Sequence, residues 1–450
     1  MSNIVASQNS VKRGSWLLNR EDKKFNPTDY SVEHMSENKA FKYTVLDNEN
    51  RYEEVLQNFK YRYLDYRKKW TDQPKKCFKE TVDNKNLIKN GIIPLCLDLE
   101  TAAICDLACP FCYREYMATP DKTINLDFAE KLIKEAGEIG IPSIKFNWRG
   151  EPLLLPKLPY LVDLAKKNGV LETMINTNAT QLNEKKSKEL IESGLDVMIY
   201  SFDGGTKETY EKMRPGRFKE NKFENVYRNI YEFKNIRESL NKKFPRTKIQ
   251  MILNEDTFNE QEEFFKLFGE CVDEVSVNTY TERGGSLSEL TEKELKKYYE
   301  VCDSLGLPKD SPYMKDSMGK MWISESRKPC QQIYQRLMVT YDGRAGMCCY
   351  DWGSTHPVGF LSNESFDDPD KPYREIMGKV EKKHQGFELL QAVEIPPTHN
   401  FPEKEVSTIK DLWEGDELNK VRQFHKKKKL EKVGICEKCT YKDTYNWKEI

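Results

Sequence analysis

An α/β protein built on a partial (βα)6 barrel, with a helical extension before it and a cysteine-bearing region after it, is predicted by three observations. Between Ile92 and Tyr280 strand-like and helix-like stretches alternate six times, the pattern of a parallel sheet joined by crossover helices. The residues ahead of this stretch carry one long helical period, and those after Gly284-Gly285 lose the βα rhythm. Three compartments follow: 1–90, an arm and helical extension; 91–285, the barrel; and 286–450, a C-terminal region with an insertion at 364–406.

Residues 1–50 are polar and punctuated, without a sustained period, and read as an arm. From Arg51 to about Trp70, Tyr52, Val55, Leu56, Phe59 and Tyr63 recur at helical spacing, so one face of a charged helix packs on something. In the barrel, Pro94 precedes a period-two strand of Leu95, Leu97 and Leu99, and Asn125 caps a helix bearing Phe128, Leu132, Ile133, Ala136 and Ile139. Ile144, Phe146 and Trp148 mark the second strand, followed by a helix from about Leu158 that Gly169 can stop. Met174 and Ile175 lie in the third strand, and Asn183 caps the helix ending at Gly194. Val197–Phe202 is the fourth strand, before a helix from about Phe223 to Leu240. Ile249–Leu253 is the fifth, a helix through Phe264, Phe265 and Phe268 follows, and Val275 and Val277 mark the sixth. Beyond the barrel, Leu337–Tyr350 alternates around Asp342-Gly343, a hairpin-turn signal. Residues 364–406 hold five prolines and read as an insertion, and Thr408 caps a short helix with Leu412 and Trp413.

The chain has 450 residues, with Lys+Arg 72 against Asp+Glu 73. A formal charge of −1 supplies no long-range attraction to phosphates, so a nucleic-acid-coating role is not expected. With 38% hydrophobic and 11% aromatic residues there is enough to bury a sizeable core. No apolar run reaches the roughly 18 residues of a membrane span, and Met1–Lys24 has no signal-peptide stretch. A cytoplasmic protein is expected, where thiols stay reduced and clustered cysteines bind metal or do redox chemistry.

Seven of the twelve cysteines fall in two groups. Cys77, Cys96, Cys271 and Cys302 stand apart and are expected to be small buried thiols. Cys105, Cys109 and Cys112 sit in CDLACPFC, directly after the first strand, so three thiolates converge at one mouth of the barrel. Structural zinc wants four closed ligands, and no fourth Cys or His follows nearby. Three thiolates on a four-iron cluster instead leave one iron open. Parallel sheets gather chemistry where their strands end.

This loop resembles the radical SAM superfamily, whose CxxxCxxC signature, with an aromatic before the last Cys, is matched by Cys105, Cys109, Phe111 and Cys112. The resemblance runs across the barrel. Trp148-Arg149-Gly150-Glu151-Pro152 is similar to the GGE segment that holds the methionine amino group of S-adenosylmethionine (SAM), with Arg149 where the family usually has Gly. Thr177-Asn178-Ala179 resembles the TNG segment, with Ala for Gly. By the same resemblance Ser201 and Asp203 would meet the ribose, Arg214 the SAM carboxylate and Phe111 the adenine region. Asn254 and Asn278 are further strand-end candidates. The implied cofactors are a SAM-binding [4Fe-4S] cluster at the three cysteines and SAM itself. A reducing donor such as flavodoxin or ferredoxin is the implied partner. An electron from the cluster would cleave SAM to methionine and a 5′-deoxyadenosyl radical that takes a hydrogen atom from the substrate.

In the second group, Cys330 is followed by twelve residues, Gly343, four residues and Cys348, and later by Cys436-x-x-Cys439. This order resembles the SPASM/twitch extension of radical SAM enzymes. The resemblance implies an auxiliary [4Fe-4S] cluster on Cys330, Cys348, Cys436 and Cys439. Four cysteines suit a structural zinc equally well on ligand chemistry alone. The fuller SPASM pattern has a further Cys where Tyr445 stands, so one auxiliary cluster is expected, as in the twitch branch. Cys349 reads as a bystander thiol, with substitution for Cys348 as a ligand or donation of a hydrogen atom as the alternatives. Tyr113, Glu115 and Arg149 are candidate substrate contacts, and the general base is not identifiable from sequence.

An auxiliary cluster suits a substrate radical that must lose an electron, and twitch relatives that oxidise aminocyclitols set the precedent. The helix Tyr63–Trp70 also looks like those of radical SAM proteins of sugar pathways. Dehydrogenation or epimerisation of a small hydroxylated substrate, a sugar or aminosugar derivative, is therefore expected. A peptide maturase and a non-catalytic zinc-binding interaction protein are the alternatives.

Overall fold

The computed structural model describes residues 15–17, 32–112, 114, 121–254, 256–279, 291–309, 311, 313–315, 321–351, 354, 356–366, 383–384, 387–388, 403–437, 439, 441 and 444–450. Tyr113, Glu115 and most of the 364–406 insertion lie outside the described residues.

A strand β1 (Ser15–Leu17) precedes three helices, α1 (Val32–Glu37), α2 (Lys39–Leu46) and α3 (Tyr52–Lys79). The first two occupy part of the stretch expected to be an arm. They are too short for a visible period and are held by tertiary contacts. Asn38 caps α2 through Ala40 N and reaches Leu171 O at 3.0 Å and Asp196 Oδ1 at 3.1 Å. Helix α3 runs past Trp70 through Pro74 to Lys79. Burial of Leu56, Phe59, Tyr63, Tyr66 and Cys77 offsets the roughly 3 kcal/mol that an interior proline costs a helix.

The barrel units follow as β2 (Cys96–Leu99), α4 (Leu126–Ile139), β3 (Ser143–Lys145), α5 (Leu158–Lys167), β4 (Glu172–Thr177), α6 (Glu184–Ser193), β5 (Val197–Ser201), a short α7 (Lys207–Met213), α8 (Phe223–Ser239), β6 (Arg246–Leu253), α9 (Gln261–Phe268) and β7 (Glu274–Thr279). Asn125 and Asn183 cap α4 and α6, and Gly140 and Gly194 end them in the left-handed region, as their sequence signals require. Neighbouring strands from β2 to β7 pair parallel in sequence order, and β1 closes the β7 edge antiparallel. The fold is mixed α/β with a largely parallel sheet, the partial barrel predicted.

Helix α10 (Glu292–Leu305) follows, with a Thr291–Glu294 capping box. It was not anticipated, although the box is visible in the sequence. Strands β8 (Tyr313–Lys315) and β9 (Met321–Arg327) come next, then the hairpin β10 (Arg336–Val339) and β11 (Arg344–Gly346), β12 (Pro357–Phe360) and the small pair β13 (Lys383–His384) and β14 (Phe387–Glu388). Helices α11 (Ile409–Glu414), α12 (Asp416–Lys426) and α13 (Gly434–Glu437) and strand β15 (Tyr445–Glu449) end the chain. The hairpin turns at Gly343, φ +97°, as Asp342-Gly343 predicted. The parallel sheet does not stop at β2: β10 pairs parallel to it, Leu337 beside Leu97 and Val339 beside Leu99, and β11 and β12 extend the same sheet to ten strands.

Strand alternation divides the sheet. Leu97, Leu99, Ile144, Ile175, Met198, Tyr200, Ile249, Met251, Val275 and Val277 point to a buried core shared with the helices. Residues of the opposite phase, among them Lys145, Asn176, Ser201, Lys248 and Gln250, are half-buried on the inner face.

Candidate active site

The loop after β2 carries Cys105, Cys109 and Cys112. It is held on three sides. Ala108 N donates to Pro215 O at 2.9 Å, Arg217 N to Asp106 O at 2.8 Å, and Leu107 bridges Gly216. Asp106, inside the cysteine motif but not singled out from sequence, accepts from Asn178 Nδ2 at 2.9 Å, Thr180 Oγ1 at 2.6 Å and Gln181 Nε2 at 2.6 Å. The three cysteines share one apolar cluster with Leu107, Phe111 and Met213. Burial, then the charges of Glu151 and Cys109, push the Cys105 thiol well above its ordinary range. A bound cation reverses that balance and favours thiolates.

Gly150 and Glu151 lie directly behind this loop. Gly150 has φ +67°, and Glu151 N donates to Ile104 O at 2.8 Å. The Glu151 carboxylate accepts from Leu153 N at 3.0 Å, Thr177 Oγ1 at 2.7 Å and Asn178 N at 2.7 Å. Burial outweighs these donors and raises its pKa to about 7. Asn178 Nδ2 also faces Cys105 Sγ at 3.8 Å. Ala179, standing where the resembled segment has Gly, adopts φ +61°. Thus Gly150, Glu151, Thr177 and Asn178 are brought together around the cysteine loop.

Arg214 Nε and Nη2 meet Asp203 Oδ2 at 2.8 and 2.6 Å, and Asp203 Oδ1 accepts from Ile252 N at 2.6 Å. Arg214 also lies 5.8 Å over the Phe111 ring. The residues expected to meet the SAM carboxylate and ribose are therefore paired with each other beside the adenine candidate. Ser201 ends β5, half-buried on the inner face. Asn254 Oδ1 caps its own turn at Asp256 N and Thr257 N, and Asn278 Nδ2 meets Gln250 Oε1 at 3.2 Å.

Arg149, a candidate substrate contact, is held in an ion pair. Its side chain is fully buried, with Nε 2.6 Å from Glu100 Oε1 and Nη2 2.9 Å from Glu100 Oε2. A cation at this strand end is stable only with such a paired carboxylate.

The second cysteine group converges as well. Cys330 precedes β10, Cys348 follows β11, and Cys436 and Cys439 lie at α13 and just past it. Burial, then neighbouring Cys349, Cys439, Cys330 and Cys436, raise the Cys348 thiol far above its usual range. Burial pushes Cys330 up to about 12. Each sulfur receives an N–H: Cys330 from Gln332, Cys348 from Tyr350 at 3.3 Å and Cys439 from Tyr441 at 3.3 Å. Cys436 Sγ faces His425 Nε2 at 3.4 Å. Cys349 differs, since its thiol donates to Gln332 Oε1 at 3.2 Å. Among the described residues no three His, Cys, Asp or Glu side chains already stand at metal-binding spacing. The donor set nevertheless fits a metal centre: four sulfurs that receive N–H donors could serve as thiolate ligands. Tyr445, where the fuller motif has Cys, donates its hydroxyl to Cys439 O.

Two hydrogen bonds join the strand ends near the two groups. Trp148 Nε1 donates to Cys349 O at 3.4 Å, and Tyr341 N to Glu100 Oε2 at 3.2 Å. On the inner face, Arg336 Nη1 meets Asp98 Oδ2 at 3.0 Å and Lys248 Nζ meets Glu274 Oε1 at 2.6 Å. Asn147 Oδ1 accepts from Asn176 N at 2.8 Å.

Parallel strands with a three-cysteine loop where the first of them ends define a barrel that carries its ligand at the mouth. Residues 99–268 match the family model described as the Radical SAM superfamily, and the chain carries a domain of that superfamily. A GTP 3′,8-cyclase of Chlorobaculum tepidum is 30% identical over 123 residues, 27% of this chain and 37% of that protein. The tungsten-containing aldehyde ferredoxin oxidoreductase cofactor-modifying protein of Pyrococcus furiosus is 31% identical over 108 residues, 24% of this chain and 30% of its own length. The matched stretch thus spans about a third of these relatives' own length. Among solved structures, BtrN in complex with AdoMet and 2-DOIA overlaps 77% of this chain and 93% of its own, at 15% identity and TM-score 0.38. Streptococcus suis SuiB bound to S-adenosylmethionine overlaps 83% and 89%, at 16% identity and TM-score 0.43. A radical SAM domain implies a [4Fe-4S] cluster and SAM. No helix among the described residues is long and apolar enough to cross a membrane.

Proposed function

We propose that this radical SAM protein abstracts a hydrogen atom from a small hydroxylated substrate, a sugar, aminosugar or related molecule, and completes a dehydrogenation or epimerisation. Cys105, Cys109 and Cys112 would hold the SAM cluster. Phe111, Gly150, Glu151, Thr177, Asn178, Ser201, Asp203 and Arg214 would hold SAM. Cys330, Cys348, Cys436 and Cys439 would hold an auxiliary [4Fe-4S] cluster. When bound, these groups supply one-electron cleavage of SAM and a route for electrons.

The observation that carries the substrate class is the inner face. Lys145, Asn176, Ser201, Lys248, Gln250 and Asn278 are half-buried there among Met174, Val197, Ile199 and Ile252, a mixed polar and apolar lining, while the opposite phase is mostly buried and apolar. Fixed amides and paired charges orient a molecule rich in hydroxyls by hydrogen bonds. In a dehydrogenation the substrate carbon gives up a hydrogen atom, the hydroxyl a proton and the radical an electron, leaving a carbonyl, methionine and 5′-deoxyadenosine. One electron must enter to cleave SAM, the deoxyadenosyl radical is the hydrogen acceptor, and an auxiliary cluster at the second cysteine group would accept the electron that the substrate radical loses. The relatives named for GTP cyclisation are matched over only about a quarter of this chain and little more than a third of their own length, too little to carry their substrate over to it.

The test is anaerobic reconstitution followed by iron and sulfide counting and assay of 5′-deoxyadenosine with SAM and reductant, such as flavodoxin or ferredoxin. About eight irons per chain are expected for two four-iron clusters. Replacing Cys105, Cys109 or Cys112 by Ala should abolish deoxyadenosine while the second group still takes up iron. Bound zinc with no iron and no deoxyadenosine would defeat the radical reading. Turnover of a peptide in place of hydroxylated small molecules would defeat the substrate class.

A further inference from the structure

His425 has no place in either cysteine motif, yet it is buried against both halves of the second group. It sits in the last turn of α12. Its Nδ1 accepts the backbone N–H of Cys330 at 3.1 Å, and its Nε2 lies 3.4 Å from Cys436 Sγ. A ring nitrogen that accepts an N–H needs its lone pair, so the single proton of the neutral imidazole is on Nε2. The contact with Cys436 is therefore N–H···S, with the sulfur accepting. Cys330, Cys348 and Cys439 take their donors from the backbone two residues on, at Gln332, Tyr350 and Tyr441. For Cys436, among the described residues, the donor is an imidazole from a separate helix.

We propose that His425 is a positioning residue for the auxiliary cluster, clamping the Cys330 loop to Cys436 and raising the cluster's reduction potential through its Nε2–H···S bond. The inference rests on the reading of the second cysteine group as an iron-sulfur site. Hydrogen bonds to cluster sulfurs stabilise the more negative, reduced state and so tune the potential. The imidazole thereby adds to the backbone donors in making the second cluster readier to accept an electron, and its loss makes the cluster a poorer acceptor.

The experiment is an EPR-monitored redox titration of the reconstituted full chain and of His425→Gln and His425→Leu, with iron counted in each. The midpoint of the first cluster serves as internal reference. Leu cannot donate, whereas the Gln amide presents an N–H near the Nε2 position. In His425→Leu the reduced-to-oxidised ratio of the second cluster at fixed potential should fall about tenfold, a shift of about 59 mV for one electron. In His425→Gln it should return to within about threefold of the native ratio, about half that shift. Loss of the second cluster from the Leu variant alone also supports the role, because the two variants differ in the polar contacts to Cys330 and Cys436 that Leu cannot make. An unshifted midpoint in a fully loaded Leu variant overturns the proposal, and so does equal loss of the cluster from both variants. Failure of the underlying reading looks different: the native chain itself would bind only about four irons.

Discussion

At Gly150 an added methyl would lie 2.2 Å from the Ala102 carbonyl oxygen and 2.6 Å from that of Ile104, at a φ of +67°. Backbone cannot step aside as a side-chain tip can, so Gly150→Ala must push the cysteine loop outward. A cost of roughly 1–2 kcal/mol for the left-handed conformation adds to about 1–3 kcal/mol of overpacking. Urea denaturation should show a loss in that combined range, with iron uptake at the first site reduced. Native stability with native iron content would refute the account. Its neighbour Glu151 gives a pH signature. Burial raises its folded pKa to about 7 from an ordinary 4.5, so between these values the folded state holds a proton that the unfolded state has released. The stabilisation from this group is complete below about pH 4.5 and lost as pH rises through 7, about 3 kcal/mol in all. Unliganded Glu151→Gln should lack this decline, and parallel stability curves for the two proteins from pH 5 to 8 would count against it.

Among the elements, the ends of β2, β3 and β10 are tied by one buried pair. Glu100 follows β2, Arg149 follows β3, and Tyr341 N, just past β10, donates to the same carboxylate. Arg149 replaces the glycine of the resembled segment and in doing so supplies a cross-brace. Arg149→Met leaves Glu100 buried and unpaired, expected to cost about 3–5 kcal/mol. The double variant Arg149→Met with Glu100→Gln removes the stranded charge and should recover more than half of that loss. A thermodynamic cycle by chemical denaturation reads this out, and additive losses would mean that the pair is not coupled.

Across the whole molecule, the decisive seam is between β2 and β10. The barrel and the second cysteine group share one sheet, and β2 is buried on both sides. Gln73 on α3 fastens the seam from below, donating to Ile93 O at 2.9 Å and Tyr334 O at 2.6 Å. Trp413 Nε1 donates to Ile92 O at 2.9 Å, with the indole fully buried. A chain cut after residue 285 exposes the β2 edge and the apolar surface under α11 and α12, a template for aggregation. The full chain should unfold in one calorimetric transition, and the truncated chain should be recovered only as aggregate. A soluble, cooperatively folding 1–285 fragment would show instead that the barrel is self-sufficient.

Local signals announced much of this architecture. The Asn125, Asn183 and Thr408 caps, the Asp342-Gly343 turn and the alternation of β4 to β7 act within a few residues, and each formed where its sequence pattern placed it. Helices α1 and α2 escaped because they are short and depend on contacts such as Asn38 with Asp196. The two cysteine groups were legible as spacing, because ligands that converge on one centre must be offered by tight loops and turns. The sequence by itself determined the barrel order and which cysteines the fold gathers into each of the two groups. Only the tertiary structure decided that Arg149 faces Glu100, that β10 joins β2 and that His425 lies between Cys330 and Cys436. Those partners are 49, 238 or more, and 95 and 11 residues apart. No local propensity encodes such pairings, which exist because burial forces each polar group taken from water to find a partner wherever the folded chain supplies one.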